Sequence, residues 1–328
     1  MANEERPCSR VLVAGATGFV GRALLPALLE RGHRVRACAR HPASIAAHEN
    51  LESVACDLLD SAALPRVLAD MDAAYYLVHS LGGDDFRERD KRAATAFAGA
   101  AALAGLRRIV YLGGVAPRGR ASKHLASRLE VGAILRSGRV PALELRAGMI
   151  VGSGSASWQI VRDLVMRLPA MVLPAWLDSR MSPIALEDVV DALVQGLTIP
   201  LTQSAHYDIG GPETLTGKQV LERIAALEGR RLPALSLPWL TPRLSAMWLR
   251  LVSQADYALA RELVLGLSED LLPADDRFWQ LVDRRPAVLF DTAARAAIDA
   301  ERRPGARNRS GNLEEALVRR VSPRLPVR

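Results

Sequence analysis

Cysteine is scarce in this chain: Cys8, Cys38 and Cys56 are the only three in 328 residues, and no two form a C-x-x-C pair. That spacing excludes a disulfide framework and a cysteine-based zinc site. Cys38 and Cys56 fall in apolar, strand-like runs and are expected in the core. Lysine is just as rare. Lys91, Lys123 and Lys218 stand among 43 basic residues, so the other 40 are arginine, and the formal charge is +7. No zinc-ligand spacing and no aromatic RNA-binding signature accompanies this basic excess. The arginine bias reflects a GC-rich genome, and no nucleic-acid partner is expected. Long apolar runs are also missing. The best candidate, Ala93 to Gly105, is alanine-rich and too short to span a bilayer. The opening MANEERPCSR is polar and mixed in charge, unlike a secretory signal. A cytoplasmic protein without integral membrane association is the expectation; the sequence leaves its oligomeric state open.

Nearly half of the residues are apolar (49%), enough for a sizeable core in one large domain or a domain with a smaller lobe. Apolar runs at Val11–Ala14, Arg34–Ala39, Ser53–Cys56, Ala73–Val78, Arg108–Leu112 and Ala142–Arg146 read as strands. Helical spacing at Val20–Arg31, Leu64–Leu68, Asp85–Ala104 and His124–Ser137 falls between them. Gly113-Gly114 is expected to break the fifth strand. This alternation predicts an α/β fold with a doubly wound parallel sheet. Ligands in such sheets bind beyond the carboxyl ends of the strands, where Gly15, Asp57, His79 and Gly113 should converge. After residue 150 the pattern loosens into helices, proline-punctuated apolar loops and a YDIGGPETLTGK segment whose Thr216 is placed to cap a helix. A further helix is expected around Tyr257–Gly266. The organisation predicted is a dinucleotide-binding Rossmann domain over 1–150, to which later segments return. A smaller, mainly helical substrate lobe follows over 151–300, then a basic tail over 301–328.

The stretch VLVAGATGFVGRALLPALLERG carries Gly15, Gly18 and Gly21 between a strand and a helix. A turn that presses backbone against a pyrophosphate has no room for Cβ atoms, and the helix that follows offers its N–H groups and positive dipole end to the phosphates. Gly15 would make the turn, Gly18 the close approach, and Gly21 the packing of helix on strand. The spacing is G-x-x-G-x-x-G, against the commoner G-x-G-x-x-G. A purely structural turn is the bland alternative.

GATGFVG resembles the extended and atypical short-chain dehydrogenase/reductases, particularly their NmrA-like branch. The resemblance continues in order through CDLLD, AYYLVHS, RIVYLGG, LRAGMIVGSGS, SPIALEDVVDAL and YDIGGPE. It implies a Rossmann domain with a smaller C-terminal substrate lobe. It places cofactor contacts in the turn at Gly15, Thr17, Gly18, Phe19, Val20 and Gly21. Beyond the turn it places them at Arg40, at Asp57 and Leu58, at His79 and Ser80, and at Gly113. Asp57 resembles the aspartate that hydrogen-bonds adenine, and it also suits a helix cap. Arg40 and His41 stand where an NAD enzyme would offer an acid to the ribose. A guanidinium there grips a 2′-phosphate, so NADP(H) is the expected cofactor, with NAD(H) as the second option.

The catalytic pattern departs from that family. Its chemistry uses Tyr-x-x-x-Lys and a preceding serine or threonine, and no tyrosine here has lysine four residues on. SKHLASRLEVG puts His124 at the tyrosine position and Arg128 at the lysine position; the serine position becomes Gly113 or Gly114. His124 and Arg128 share a helix face. With His79, which ends the fourth strand, they form the candidate catalytic set, imidazole being the expected proton donor. Arg146, ending the sixth strand, is a further candidate contact. Trp158, Met166, Met171, Trp176, Trp239, Met247 and Trp248 read mostly as core, though any pocket among them would suit an apolar or aromatic substrate. The expected function is an NADP(H)-dependent oxidoreductase acting on a carbonyl or conjugated bond of an apolar small molecule. A non-catalytic redox sensor or assembly factor is the alternative, and a nucleotide-sugar epimerase ranks third.

Overall fold

The computed structural model describes residues 10–80, 85–119, 121–167, 171–173, 175–230, 234–236 and 269–303. Strand β1 (Arg10–Ala14) runs through the glycine turn into helix α1 (Phe19–Glu30), followed by β2 (Arg34–Ala39) and β3 (Leu51–Ala55). Next come α2 (Leu64–Leu68), β4 (Ala73–Tyr76), α3 (Phe86–Leu103), β5 (Arg108–Gly114), α4 (Lys123–Arg136) and β6 (Ala142–Ala147). The later part holds β7 (Ile150–Val151), α5 (Ala156–Arg167), β8 (Met171–Leu173), β9 (Arg180–Met181), β10 (Ile184–Ala185) and α6 (Leu186–Gln195). It continues with β11 (Ala205–Ile209), β12 (Leu215–Thr216), α7 (Gly217–Leu227), β13 (Ala234–Ser236), α8 (Arg277–Leu281) and α9 (Phe290–Arg302).

Seven strands form one parallel sheet in the order β3-β2-β1-β4-β5-β6-β11. A strand covered on both faces must be apolar throughout, and Val11 to Ala14 are all fully buried. Side chains alternate across the sheet. Val11 and Val13 enter a core with Leu24 and Leu28 of α1, Val189 and Leu193 of α6 and Phe278 of α8. Leu12 and Ala14 enter the opposite core with α2, α3 and α4. The chain leaves β1 toward β2 on one side and finds β4 on the other, so a crevice opens between β1 and β4 at their carboxyl ends. Buried Arg108 donates to Gly196 O and Ile199 O, both at 2.7 Å, and ties the exit of α6 to the start of β5.

A third core, built from Trp158, Val161, Val165, Leu215, Val220, Ile224, Ala294 and Ile298, forms the lobe of α5, α7 and α9. The chain is not cut cleanly at residue 150. β11 pairs with β6, and α6 packs on α1, because their apolar faces complete the first core. Thr216 caps α7 as its sequence suggests, in a reciprocal capping box with Gln219. Three expectations are corrected. Gly113 and Gly114 continue β5, since parallel pairing with Arg146 and Ala147 holds them extended. The apolar segment after α5 contains the short β8, paired with β13. Helix α9 runs on to Arg302, past the start expected for the tail: Trp158 Nε1 donates to Glu301 at 3.0 Å and Arg162 pairs with the same carboxylate at 2.9 Å, which holds the end of α9. The helix expected at Tyr257–Gly266 and the rest of the tail lie outside the described residues. Cys38 and Cys56 are free and buried. Among the described residues no helix is long and apolar enough to cross a membrane.

Candidate functional site

Gly15 adopts φ +88°, and a Cβ there would sit 2.8 Å from Leu77 O. Only glycine accepts that conformation without strain. The N–H groups of Gly15 and Ala16 donate to Cys38 O at 3.0 and 3.1 Å, which pins the turn to β2. A Cβ on Gly21 would collide with Gly15 O, so bare glycine is what lets α1 press onto the turn. Gly18 occupies the N-cap of α1 without a side-chain cap, and no acidic residue lies in the first turn of that helix. The free N–H groups and the dipole of α1 therefore face an open, uncompensated end. This backbone cradle, which side chains would fill, fits a pyrophosphate.

A cavity of about 420 Å³ opens beyond the ends of β4, β5 and β6. Gly18, Phe19, Val20 and Gly21 form one wall. His79, Gly114, Ser122, His124 and Arg128 form a second. Met149, Ile150, Ile160, Val161 and Leu271 make an apolar third. Phe19 closes against Gly152 and Gly154, where any Cβ would lie 3.0 to 3.4 Å from its ring. The small-residue run Gly152–Ser157 thus borders the glycine turn, and Ser155 and Ser157 line the cavity between them.

Two histidines and one arginine set its electrostatics. His79 Nε2 lies 3.3 Å from Leu112 O, so the proton sits on Nε2 and is donated to that carbonyl. Nδ1 is then a bare acceptor, enclosed and without a partner. Burial, reinforced by the charge of Arg128, holds His79 well below the ordinary imidazole range. The same two causes bring His124 down to about 3, with its ring tilted against Phe86. Both are neutral near pH 7. Burial also lowers Arg128, while Tyr111 and Asp90 oppose that shift. Its Nε is enclosed and lacks a hydrogen-bond partner. Arg128 keeps its charge because guanidinium is so weak an acid.

The cavity brings together Gly18, Phe19, Val20, Gly21, His79, His124 and Arg128. Gly15 and half-buried Thr17 support the turn from behind. Gly113 is displaced from its expected place: its Cβ position faces Glu144 Oε1 at 2.7 Å, and Gly114 takes the cavity face, because successive strand residues point to opposite sides. Ser80 gives its backbone N–H to buried Asp90 and is not part of the wall. Arg40 is exposed past the end of β2, and Asp57 is exposed past the end of β3 with its carboxylate on Leu59 N. Both stand at the far end of the same sheet edge, outside the cavity. Leu58 is buried in the α2–α4 core. Arg146 pairs with Glu144 and is not among the residues that line the cavity. Trp158 and Met166 are fully buried, while Trp239, Met247 and Trp248 and the side chains of Met171 and Trp176 lie outside the described ones. Ser122 and the Gly152–Ser157 run had no role assigned from sequence, and small residues were their only signal; Gly114 was one of the two positions read as replacing the serine.

A seven-stranded parallel sheet with a glycine turn at its switch point is a Rossmann-like α/β fold. Residues 15–162 match an NAD(P)H-binding family. The chain is 36% identical over 87 residues to a 3-beta-hydroxysteroid dehydrogenase of Mycolicibacterium neoaurum, a match covering 24% of each protein. The chain thus spans about a quarter of the length of that curated relative. It is 28% identical over 225 residues to a (4-alkanoyl-5-oxo-2,5-dihydrofuran-3-yl)methyl phosphate reductase of Streptomyces griseus, covering 68% of this chain and 75% of that one. Among solved structures, UDP-glucuronic acid 4-epimerase from Bacillus cereus in complex with NAD superposes with a TM-score of 0.69 at 15% identity, covering 88% of this chain and 97% of that one. The Bordetella bronchiseptica enzyme WbmH in complex with NAD+ superposes with a TM-score of 0.68 at 16% identity, covering 90% and 99%. At these identities the likeness is one of fold.

Proposed function

We propose that this protein is a cytoplasmic, NADP(H)-dependent oxidoreductase of the atypical, NmrA-like short-chain dehydrogenase type. Its substrate is an apolar small molecule carrying a carbonyl or conjugated bond. One observation carries the reading: the glycine turn, an apolar set of side chains and Arg128 line a single cavity. Gly15, Gly18 and Gly21 would hold the pyrophosphate, Asp57 the adenine end, and Arg40 a 2′-phosphate. A bound dihydronicotinamide supplies a hydride to the substrate. Met149, Ile160, Val161 and Leu271 exclude water and select apolar surface. The name of the Streptomyces relative describes a reductase of a methyl phosphate whose ring double bond is conjugated with carbonyl groups; the conjugated bond is in keeping with this reading, the phosphate is not apolar.

Titration calorimetry with NADPH and NADH tests the cofactor. Arg40→Ala should weaken NADPH by about tenfold or more and leave NADH nearly unchanged, since a charge-assisted contact contributes roughly 1.5–3 kcal/mol. Equal loss for both nucleotides would refute the assignment. The sensor reading draws support from the neutral histidines, which leave the cavity without a charged acid. Oxidation of NADPH with quinones, enones or aldehydes separates the two, because a sensor binds without turnover.

A further inference from the structure

We propose that Arg128 is a catalytic residue that holds the enolate oxygen of an α,β-unsaturated carbonyl substrate, so that this site reduces conjugated double bonds in preference to isolated ketones. The inference rests on the oxidoreductase reading and narrows its substrate class.

Hydride addition to an isolated ketone leaves an alkoxide. So strong a base needs a proton on oxygen as it forms, and the cavity is poorly equipped to deliver one. Tyr111, the tyrosine nearest Arg128, is fully buried, and its hydroxyl donates to Arg128 O at 2.8 Å. His79 presents a bare nitrogen, with its proton committed to Leu112 O. His124 is uncharged. At the position where related enzymes carry serine, Gly114 offers no hydroxyl; of the serines on the cavity wall, Ser122 Oγ caps Leu125 N, and Ser155 Oγ donates to Ile150 O and lies 3.1 Å from Ser157 Oγ.

A conjugated carbonyl makes a different demand. Hydride reaches the β-carbon, the C=C π pair shifts toward the carbonyl, and the charge spreads over the oxygen and the α-carbon. This enolate is a much weaker base. It needs a fixed cation at oxygen, and its proton arrives afterwards at the α-carbon from water. The nicotinamide leaves oxidised, the C=C bond becomes single, and one solvent proton is consumed.

Arg128 meets that demand. It lines the cavity, and its Nε has no hydrogen-bond partner. No carboxylate among the described residues pairs with it; Asp90, the nearest acid on α3, is engaged by Ser80 N and Ser127 Oγ. A preorganised, partly buried cation on the cavity wall is most effective where charge develops during reaction.

Para-nitrophenol serves as an enolate mimic, titrated by absorbance in protein saturated with NADP+. The bound phenol should ionise about one to three pH units lower than in water. Arg128→Met should abolish that shift, and Arg128→Lys should keep most of it. Melting curves and NADPH titration confirm that each variant is folded. An identical shift in wild type and Arg128→Met overturns the proposal. So does weakened NADPH binding in Arg128→Met with the phenol unaffected, which would make Arg128 a cofactor ligand. In turnover, benzalacetone should outpace its saturated counterpart benzylacetone. Deuterium from labelled NADPH should appear at the β-carbon and deuterium from heavy water at the α-carbon. Arg128→Met should slow this step about 100-fold. Faster reduction of benzylacetone, or label on the carbonyl carbon, overturns the proposal. Failure of wild type to bind NADPH would instead sink the oxidoreductase reading.

Discussion

His124 sits within hydrogen-bonding chemistry's usual alphabet for a proton donor, yet its surroundings remove its charge. Its pKa of about 3, against an ordinary 6.5, follows first from burial and then from Arg128. The unfolded chain takes up a proton there as pH falls below 6.5, and the folded chain does so only near 3. In that window the unfolded state binds more protons, so stability is full above pH 6.5 and declines as pH falls. Each such histidine contributes a slope of about 1.4 kcal/mol per pH unit. His79 acts in the same direction. Urea unfolding across this range should show a shallower decline for His124→Asn than for wild type. Parallel profiles would show that His124 is not held neutral. The position of His124 one turn from Arg128 was legible in SKHLASR, because helical spacing puts i and i+4 on one face. Its protonation state was not, because desolvation comes from Phe86 and the cavity wall, which no local pattern reveals.

At the scale of the element, β6 and α4 are joined by a buried carboxylate. Glu144 is fully buried and pairs with Arg136 at 2.8 Å and Arg146 at 3.0 Å. Gly113 and Gly132 are bare where its carboxylate packs; a Cβ on either would press into it. Removing the acid would strand two partly buried arginines and open a void beside β5. Glu144→Ala should therefore lose about 3–5 kcal/mol in chemical denaturation. A loss under about 1 kcal/mol would show that the arginines find water instead. This network explains why Gly113-Gly114 extends the strand it was expected to end. A glycine pair in isolation reads as a breaker. Here parallel hydrogen bonding to Arg146 and Ala147 holds it extended, and the space it leaves is used by side chains from other elements.

For the whole molecule, the cavity takes its walls from both halves of the chain: the glycine turn and α4 from the sheet domain, β7, α5 and Leu271 from the later part. A ligand filling it should stabilise both together. NADPH at a hundredfold its dissociation constant should add about 2.7 kcal/mol and raise the melting temperature by a few degrees in a single calorimetric transition. Separate transitions, only one of them shifted, would show that the lobe does not share the site. The sequence by itself determined the strand–helix alternation, the parallel sheet and the glycine turn, since each follows from short-range covalent and steric rules: apolar runs, helical spacing, and positions where a Cβ cannot fit. Tertiary structure alone decided that Gly114 faces the cavity and Gly113 does not, that Arg146 is engaged by Glu144, and that the histidines are neutral while Arg128 keeps a free donor. Those outcomes depend on burial and on which side chains the packed elements bring together, near or far along the chain, and the electrostatic free energy of a charge is set by what surrounds it in space.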